Sequence, residues 1–493
     1  MEATSFSIEL KGDKIIHQIP SIRDKALRIN LNENIYGTFA EIGAGQETVR
    51  QFFRAGASSG TIAKAMSAYD KDFSDSIYGD EPDGRYVSEI RLRKMLSYEM
   101  QLIEERLSRE KHPDKLFFSY ANTVATIDFS KRYKGHGWVG IKYQLDPNEA
   151  HNQIILHIRF KENDAKLQQE TLGTLGVNLI YGAFYKHNKP KKILKYLYDH
   201  LDKDQIEIDM INFEGPRFKD IDNRLMSLQL VKNGMTDAVM FNPEGNNILP
   251  ANVLYKKNVL AIRGSFRPVT KVNMDMYQNS LEMFLNQRKV DPSKTMVIFE
   301  ITLSNLRNEG EIDEVDFMDR ARLLCSLGQT VMISNFQEYY RLVEYFSNYT
   351  KERMGLAMGV NNLVPIFDEK YYRHLSGGIL EAFGKLFYRD LKVFLYPMLD
   401  ENGKIVNSEN LMVHPRMKEL YKFFKFNGKV VDIENYNVEN LKIFSREILK
   451  KIIENQEGWE DTLPKGVSEM IKDQGLFGYN NSEKKSLQAN QNA

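Results

Sequence analysis

A single cysteine, Cys325, occurs in the 493-residue chain, which excludes an intramolecular disulfide and any cysteine-rich metal site. It lies in the apolar run Arg-Leu-Leu-Cys-Ser-Leu, so a buried packing role is expected. No apolar run approaches the ~18 residues that a membrane-spanning helix needs. Neither sign of charge dominates, because 67 Lys and Arg balance 67 Asp and Glu. A general nucleic-acid binder carries a basic excess or a basic face. Walker A, His-Glu-x-x-His, Gly-x-Ser-x-Gly and paired Cys-x-x-Cys sequences are all missing, which argues against P-loop NTPases, one zinc-protease class, one serine-hydrolase class and cysteine-ligated metal proteins. The opening Met-Glu-Ala-Thr-Ser-Phe-Ser has no basic region leading into an apolar core, so no signal peptide is read there. The expectation is a cytoplasmic protein with neither a membrane nor a nucleic-acid partner.

What remains is an ordinary globular composition, 42% hydrophobic and 27% charged, in a chain long enough for two or three domains. The 25 Tyr and 28 Phe residues are compatible with self-association into a homo-oligomer. Residues 37–45 read as a strand entering a glycine turn, 46–69 as helical, and 86–110 as an amphipathic helix. Strands are expected at 116–120, 137–143 and 153–160, and helices at 165–185 and 191–201. From about residue 256 apolar runs (258–263, 295–303, 329–334, 354–358, 391–396) alternate with helix-like segments. This predicts an α/β fold: a parallel, nucleotide-binding-type sheet in the C-terminal half beside an α+β N-terminal half, with a βα barrel as the alternative. The expected division is a mainly helical region at 1–114, an α+β domain at 115–255, an α/β domain at 256–479 and a disordered tail at 480–493.

The segment with the most chemical content follows the apolar run ending at Arg263: Gly264-Ser265-Phe266-Arg267-Pro268-Val269-Thr270, then a helix-like stretch from Lys271. Gly264 permits a sharp turn after a strand. Backbone N–H groups at the following helix start can face a phosphate, and Arg263, Arg267 and Lys271 add positive charge. Gly264, Ser265, Arg263, Arg267 and Lys271 are therefore the candidate cofactor-binding residues, with a small-molecule phosphate or nucleotide as the partner.

The run Gly264-Ser-Phe-Arg-Pro-Val-Thr270 resembles the first motif of the adenylyltransferase superfamily, which includes nicotinate-nucleotide and phosphopantetheine adenylyltransferases. The resemblance implies ATP and Mg²⁺ as cofactors and transfer of an adenylyl group with release of pyrophosphate, a chemistry of positioning and charge stabilisation. It places Thr270 and Asn273 in the catalytic positions. The family's closing Gly-His pair stands here as Val272-Asn273, and asparagine supplies hydrogen bonds but no positive charge. The family's second motif has its nearest counterpart in Ser334 to Arg341, at a different spacing. On a larger scale Gly37-Thr-Phe-Ala-Glu-Ile-Gly-Ala-Gly-Gln, Asp222-Asn-Arg-Leu-Met-Ser-Leu-Gln-Leu-Val and Gly377-Gly-Ile-Leu-Glu-Ala-Phe-Gly resemble recurring segments of a bacterial family whose members are often labelled nicotinate-nucleotide adenylyltransferases. The resemblance implies a nucleotide- or phosphometabolite-binding protein. The alternatives are a non-catalytic binding or assembly protein, or an enzyme of another class acting on a phosphorylated small molecule.

Three other constellations carry chemistry. His157 and Arg159 share one strand face and, with Lys142 on a neighbouring strand, form a candidate substrate-binding group; His136 lies nearby. Asp209, Glu214 and Asp222 are carboxylates of the kind that hold Mg²⁺, with solvated ion pairs as the plainer reading, so the metal stays unassigned. Gly43 and Gly45 give a Gly-x-Gly turn without a third glycine.

Overall fold

The computed structural model describes residues 19–308 and 310–480. Most of the expected tail at 480–493 lies outside these residues. The chain divides into two compact units, Met1–Asp222 and Asn223–Ala493. The boundary expected near 114 falls inside the first unit, because the strands on either side of it pair in one sheet.

The N-terminal unit is a six-stranded mixed sheet in the order β2-β1-β3-β4-β5-β6. Its strands are β1 (Ile35–Gly43), β2 (Ile62–Ser67), β3 (Leu116–Ala125), β4 (His136–Tyr143), β5 (Asn152–Phe160) and β6 (Ile206–Glu214). β1 runs parallel to both β2 and β3, and β3 to β6 continue antiparallel. Its helices are α1 (Ile22–Asn30), α2 (Glu47–Ala55), α3 (Lys71–Tyr78), α4 (Glu89–Arg106), α5 (Ala165–Tyr185) and α6 (Pro190–Leu197). The glycines of α5 serve close packing: a Cβ on Gly173 would meet Glu47 at 2.8 Å and one on Gly176 would meet Thr48 at 2.4 Å, so α2 and α5 approach backbone to backbone. The expected helix over 46–69 stops at Ala55, where Gly56 adopts φ +88°. The rest becomes β2, whose residues alternate between half-buried and exposed. Ala and Lys there favour a helix, and pairing with β1 overrides that local preference.

The C-terminal unit is an eight-stranded sheet built mainly from the predicted apolar runs. After α7 (Asn223–Lys232) come β7 (Ala238–Phe241), β8 (Asn247–Ile248), β9 (Asn258–Arg263), α8 (Lys271–Leu285), β10 (Thr295–Thr302), α9 (Glu314–Ser326), β11 (Thr330–Ser334), α10 (Tyr339–Ser347), β12 (Met354–Gly359), α11 (Gly378–Leu386), β13 (Lys392–Tyr396) and β14 (Val430–Asp432). The strand order is β14-β13-β12-β9-β10-β11-β7-β8. The first six are parallel, β7 runs antiparallel to β11, and β8 runs antiparallel to β7. The sheet is open, so the parallel-sheet expectation holds and the barrel alternative does not. Period-two alternation sorts the core. Leu260 and Ile262 join a cluster with Phe284 and Phe317 on one face, while Val259 and Ala261 join a cluster with Tyr340 and Phe383 on the other. Helices α8 and α9 thus cover one face, and α10 and α11 the opposite one. No helix among the described residues is long and apolar enough to cross a membrane.

Candidate functional site

Strand β9, the first of the parallel set, lies between β10 and β12. The helices after β9 and β10 cover one face, and those after β11 and β12 the other. The carboxyl end of β9 is therefore the topological switch point, where open α/β sheets form a ligand crevice. The turn 264–270 occupies that position. Val269 and Thr270 are fully buried, and Ser265 is exposed. Phe266 sits at φ +48° and packs against Phe299 with ring centroids 5.3 Å apart. This anchors the loop to the sheet from below. A Cβ on Gly264 would stand 2.9 Å from that Phe266 ring, so this turn accepts only glycine without rearrangement.

The loop's polar groups fall into two sets. Gly264 N–H donates to the Glu300 carbonyl at 3.1 Å. Among the described residues, the next three N–H groups, those of Ser265, Phe266 and Arg267, meet no acceptor. Solvent-exposed Lys271 opens α8 beside them. Thr270 and Asn273 cap that helix: the Asn273 Oδ1 accepts from Thr270 N–H at 2.9 Å and from the Thr270 hydroxyl at 3.2 Å. These two candidate catalytic residues thus hold each other across the first turn.

Arg263 is placed differently from a free phosphate ligand. Its Nε donates to Glu300 Oε2 at 2.7 Å and its Nη2 to Glu300 Oε1 at 2.9 Å. Nη1 reaches the Gln337 carbonyl at 3.1 Å, and the guanidinium lies 4.2 Å from the Tyr339 ring centre. Burial pushes the Tyr339 hydroxyl up to about 12. Glu300 is fully buried and also accepts from the Ser334 hydroxyl at 2.6 Å. The charge of Arg263 is thereby neutralised within the fold. Arg267 approaches Asp316 of α9 at 2.6 Å. Asp316 also pairs with Arg320, whose Nη1 donates to the Ser265 carbonyl at 2.8 Å. The carboxylates and arginine that shape the loop come from β10 and α9. The sequence offered no local signal for them.

In the N-terminal unit, β4 and β5 pair His136 with Arg159 and Trp138 with His157. His157 Nδ1 lies 2.5 Å from Asp209 Oδ1, and its Nε2 lies 3.3 Å from His136 Nδ1. Asp209 sits at an irregularity of the β5–β6 ladder, which aims it at the ring. If His157 donates its Nδ1 proton to Asp209, its Nε2 accepts from His136, and the chain ends on the His136 Nε2 lone pair. Burial first, and the neighbouring His157 second, hold His136 down to about 4, so it is neutral at neutral pH. The expected group of His157, Arg159 and Lys142 is split by the register. Lys142 pairs with Gln153, six positions along β4 from His136, or roughly 20 Å at strand spacing. It instead donates to the Ser97 hydroxyl. Asp209, Glu214 and Asp222 do not converge either, since Asp209 holds His157 and Glu214 takes two hydrogen bonds from Arg93. Among the described residues no group of three His, Cys, Asp or Glu side chains is placed to hold a metal ion.

A polar cluster that the sequence reading missed lies where β1 runs into α2. Glu41 is 2% exposed, and its Oε1 has no hydrogen-bond partner among the described residues. Desolvation drives its carboxyl up to about 8, against the opposing pull of the Ser67 hydroxyl and the Val49 N–H. The carboxamide of fully buried Asn122 makes no hydrogen bond among the described residues. A Cβ on Gly45 would stand 2.0 Å from its oxygen. The only trace of this cluster in the sequence was the Gly-x-Gly turn itself. Elsewhere, Gly377 N–H donates to Glu381 at 2.9 Å, so helix α11 supplies its own anion. Cys325 is buried, with its thiol pushed up to about 11 by desolvation.

No family model matches the chain, and no curated protein does. Among solved structures, it is similar to a nicotinic acid mononucleotide adenylyltransferase from Plasmodium falciparum complexed with NaAD, at 15% identity over 45% of this chain and 98% of that one, TM-score 0.30. It is also similar to a competence-damaged protein (CinA) superfamily protein from Enterobacter cloacae, at 11% identity over 36% of this chain and 99% of that one, TM-score 0.25. A competence/damage inducible protein, CihA, from Agrobacterium tumefaciens matches at 15% identity over 37% of this chain and 100% of that one, TM-score 0.23. Likenesses at these levels assign the chain to no family, and its function is argued from its own residues.

Proposed function

We propose that the C-terminal unit binds a nucleotide or phosphorylated metabolite on the turn 264–270. One observation carries this reading: among the described residues the N–H groups of Ser265, Phe266 and Arg267 meet no acceptor at the switch point, beside Lys271 and the amino end of a 15-residue helix. Successive N–H groups of this kind suit phosphate oxygens. Lys271 and Arg267 supply the cationic partners, and Thr270 and Asn273 fix the helix start. With ATP the reaction would be transfer of AMP to an acceptor such as nicotinate mononucleotide, releasing pyrophosphate, with Mg²⁺ carried on the nucleotide's phosphates. The test is a thermal-shift screen with ATP, NAD, nicotinate mononucleotide and sugar phosphates, each with and without Mg²⁺. A ligand at 100 times its Kd is expected to stabilise by about 2.7 kcal/mol, and Arg267→Ala to remove most of that shift. Absence of a shift with every nucleotide sinks the reading.

A second reading, binding without turnover, is favoured by Asn273, whose side-chain oxygen is committed to the cap. It expects a nucleotide shift with no pyrophosphate release. A homo-oligomer, which light scattering would detect, fits this reading best. The Asp209–His157–His136 relay favours a separate acid–base site in the N-terminal unit for a phosphorylated small molecule. There Arg159→Ala is expected to abolish sugar-phosphate binding that Arg267→Ala leaves intact; the opposite pattern removes the idea.

A further inference from the structure

Two guanidinium groups share one carboxylate behind the turn 264–270. Asp316 is nearly buried, with its side chain 6% exposed. Its two partners are held unequally. Arg320, 1% exposed, is hydrogen-bonded both to Asp316 and to the Ser265 carbonyl. Arg267 keeps 34% of its side chain exposed. Its Nε lies 2.6 Å from Asp316 Oδ1, yet neither atom has a hydrogen-bond partner among the described residues. The contact is one of charge without hydrogen-bond direction. Arg267 is thus the looser of the two and the one that solvent reaches.

We propose that Arg267 is an anion-responsive arm, parked on Asp316 in the free protein and transferred to the phosphate of an arriving ligand, while Arg320 stays behind as the permanent countercharge of Asp316. The inference rests on the phosphate reading of the same loop and adds its regulation. The charge count makes the transfer feasible. A buried carboxylate that loses its only cation is costly, but Asp316 keeps Arg320 when Arg267 leaves. A phosphate offers a doubly charged acceptor that a guanidinium can grip bidentately, which the misdirected contact to Asp316 does not. Arg320 meanwhile fixes the Ser265 carbonyl, so the turn does not follow the arm. Asp316 competes with the ligand and sets how much anion is needed to free Arg267.

The test is calorimetric titration of the full chain with inorganic pyrophosphate, comparing wild type, Asp316→Asn, Arg267→Ala and the double variant. Asparagine keeps the volume and an oxygen for Arg320. Asp316→Asn is expected to bind pyrophosphate roughly fivefold more tightly than wild type, and this gain is expected to vanish in the Arg267→Ala background. Unchanged or weaker binding in Asp316→Asn, with Arg267→Ala still weakening it, overturns the transfer and leaves the phosphate loop standing. A gain that survives without Arg267 overturns the transfer as well. Failure of wild type to bind pyrophosphate, ATP or any phosphate probe overturns the loop reading and the transfer together. A wild-type crystal soaked in pyrophosphate decides the matter even if Asp316→Asn does not fold. Arg267 lifted off Asp316, with the Arg320 contacts kept, supports the transfer; Arg267 still on Asp316 overturns it.

Discussion

Arg263→Ala is expected to destabilise the C-terminal unit by about 3–5 kcal/mol, the usual cost of removing one partner from a buried ion pair. Glu300 has no exposed surface. Without Arg263 it loses two charged hydrogen bonds and, among the described residues, keeps the Ser334 hydroxyl alone. At ordinary unfolding entropies this lowers the Tm by roughly 10 °C, which calorimetry resolves. The paired change Arg263→Met with Glu300→Leu is expected to cost far less, because it removes both charges and leaves apolar side chains of similar bulk. This contrast separates structural from ligand-binding roles. Were Arg263 a free phosphate ligand, the single variant would lose anion affinity at unchanged Tm.

Glu41→Gln is expected to stabilise the N-terminal unit at pH 8 and to have little effect at pH 4. The folded carboxyl titrates at about 8, against an ordinary value of 4.5. Between those values the folded state holds a proton that the unfolded chain has released, so stability falls as pH rises through the window. Below about 4.5 both states are protonated and there is no penalty; above about 8 the penalty is complete, on the order of 5 kcal/mol. Glutamine carries no such titration. Each unit has one tryptophan, Trp138 and Trp459, so urea unfolding in a Trp459→Phe background lets Trp138 report on the N-terminal unit. Equal pH dependence in wild type and Glu41→Gln would show that this carboxyl titrates normally.

Much of the fold could be read from the sequence because its signals are local. The run 258–263 is β9 residue for residue, since a strand buried on both faces reads as continuous apolar sequence. The turn after it was equally visible, because Gly264 to Thr270 are contiguous. What stayed hidden is what tertiary contact decides. Residues 62–67 pair with β1 against their helix-forming composition. The boundary near 114 dissolved because β1 pairs with β3 across a long stretch of chain. At the site, Glu300 stands 37 positions from Arg263, and Arg320 stands 55 from Ser265. No periodicity connects such pairs. Arg263 and Arg267 looked alike in sequence, but they differ in whether the carboxylate facing them leaves them free to move. Lys142 shares a sheet face with His157, but the register sets it at the other end of β4.

The position of β9 in its sheet also matters while the chain is being made. One flank is taken by β10, which follows soon after. The other is taken by β12, where Met354 pairs with Val259 roughly 95 positions later. At common rates of synthesis this interval lasts roughly 5–20 s. Throughout it, one backbone edge of Val259 to Ile262, buried in the finished protein, is open to any extended segment that reaches it. A fragment ending before residue 354 would keep that edge for good. The strand that carries the candidate site is therefore, with β7, among those left longest open to mispairing during synthesis, and the crevice exists only once the chain has run well past it.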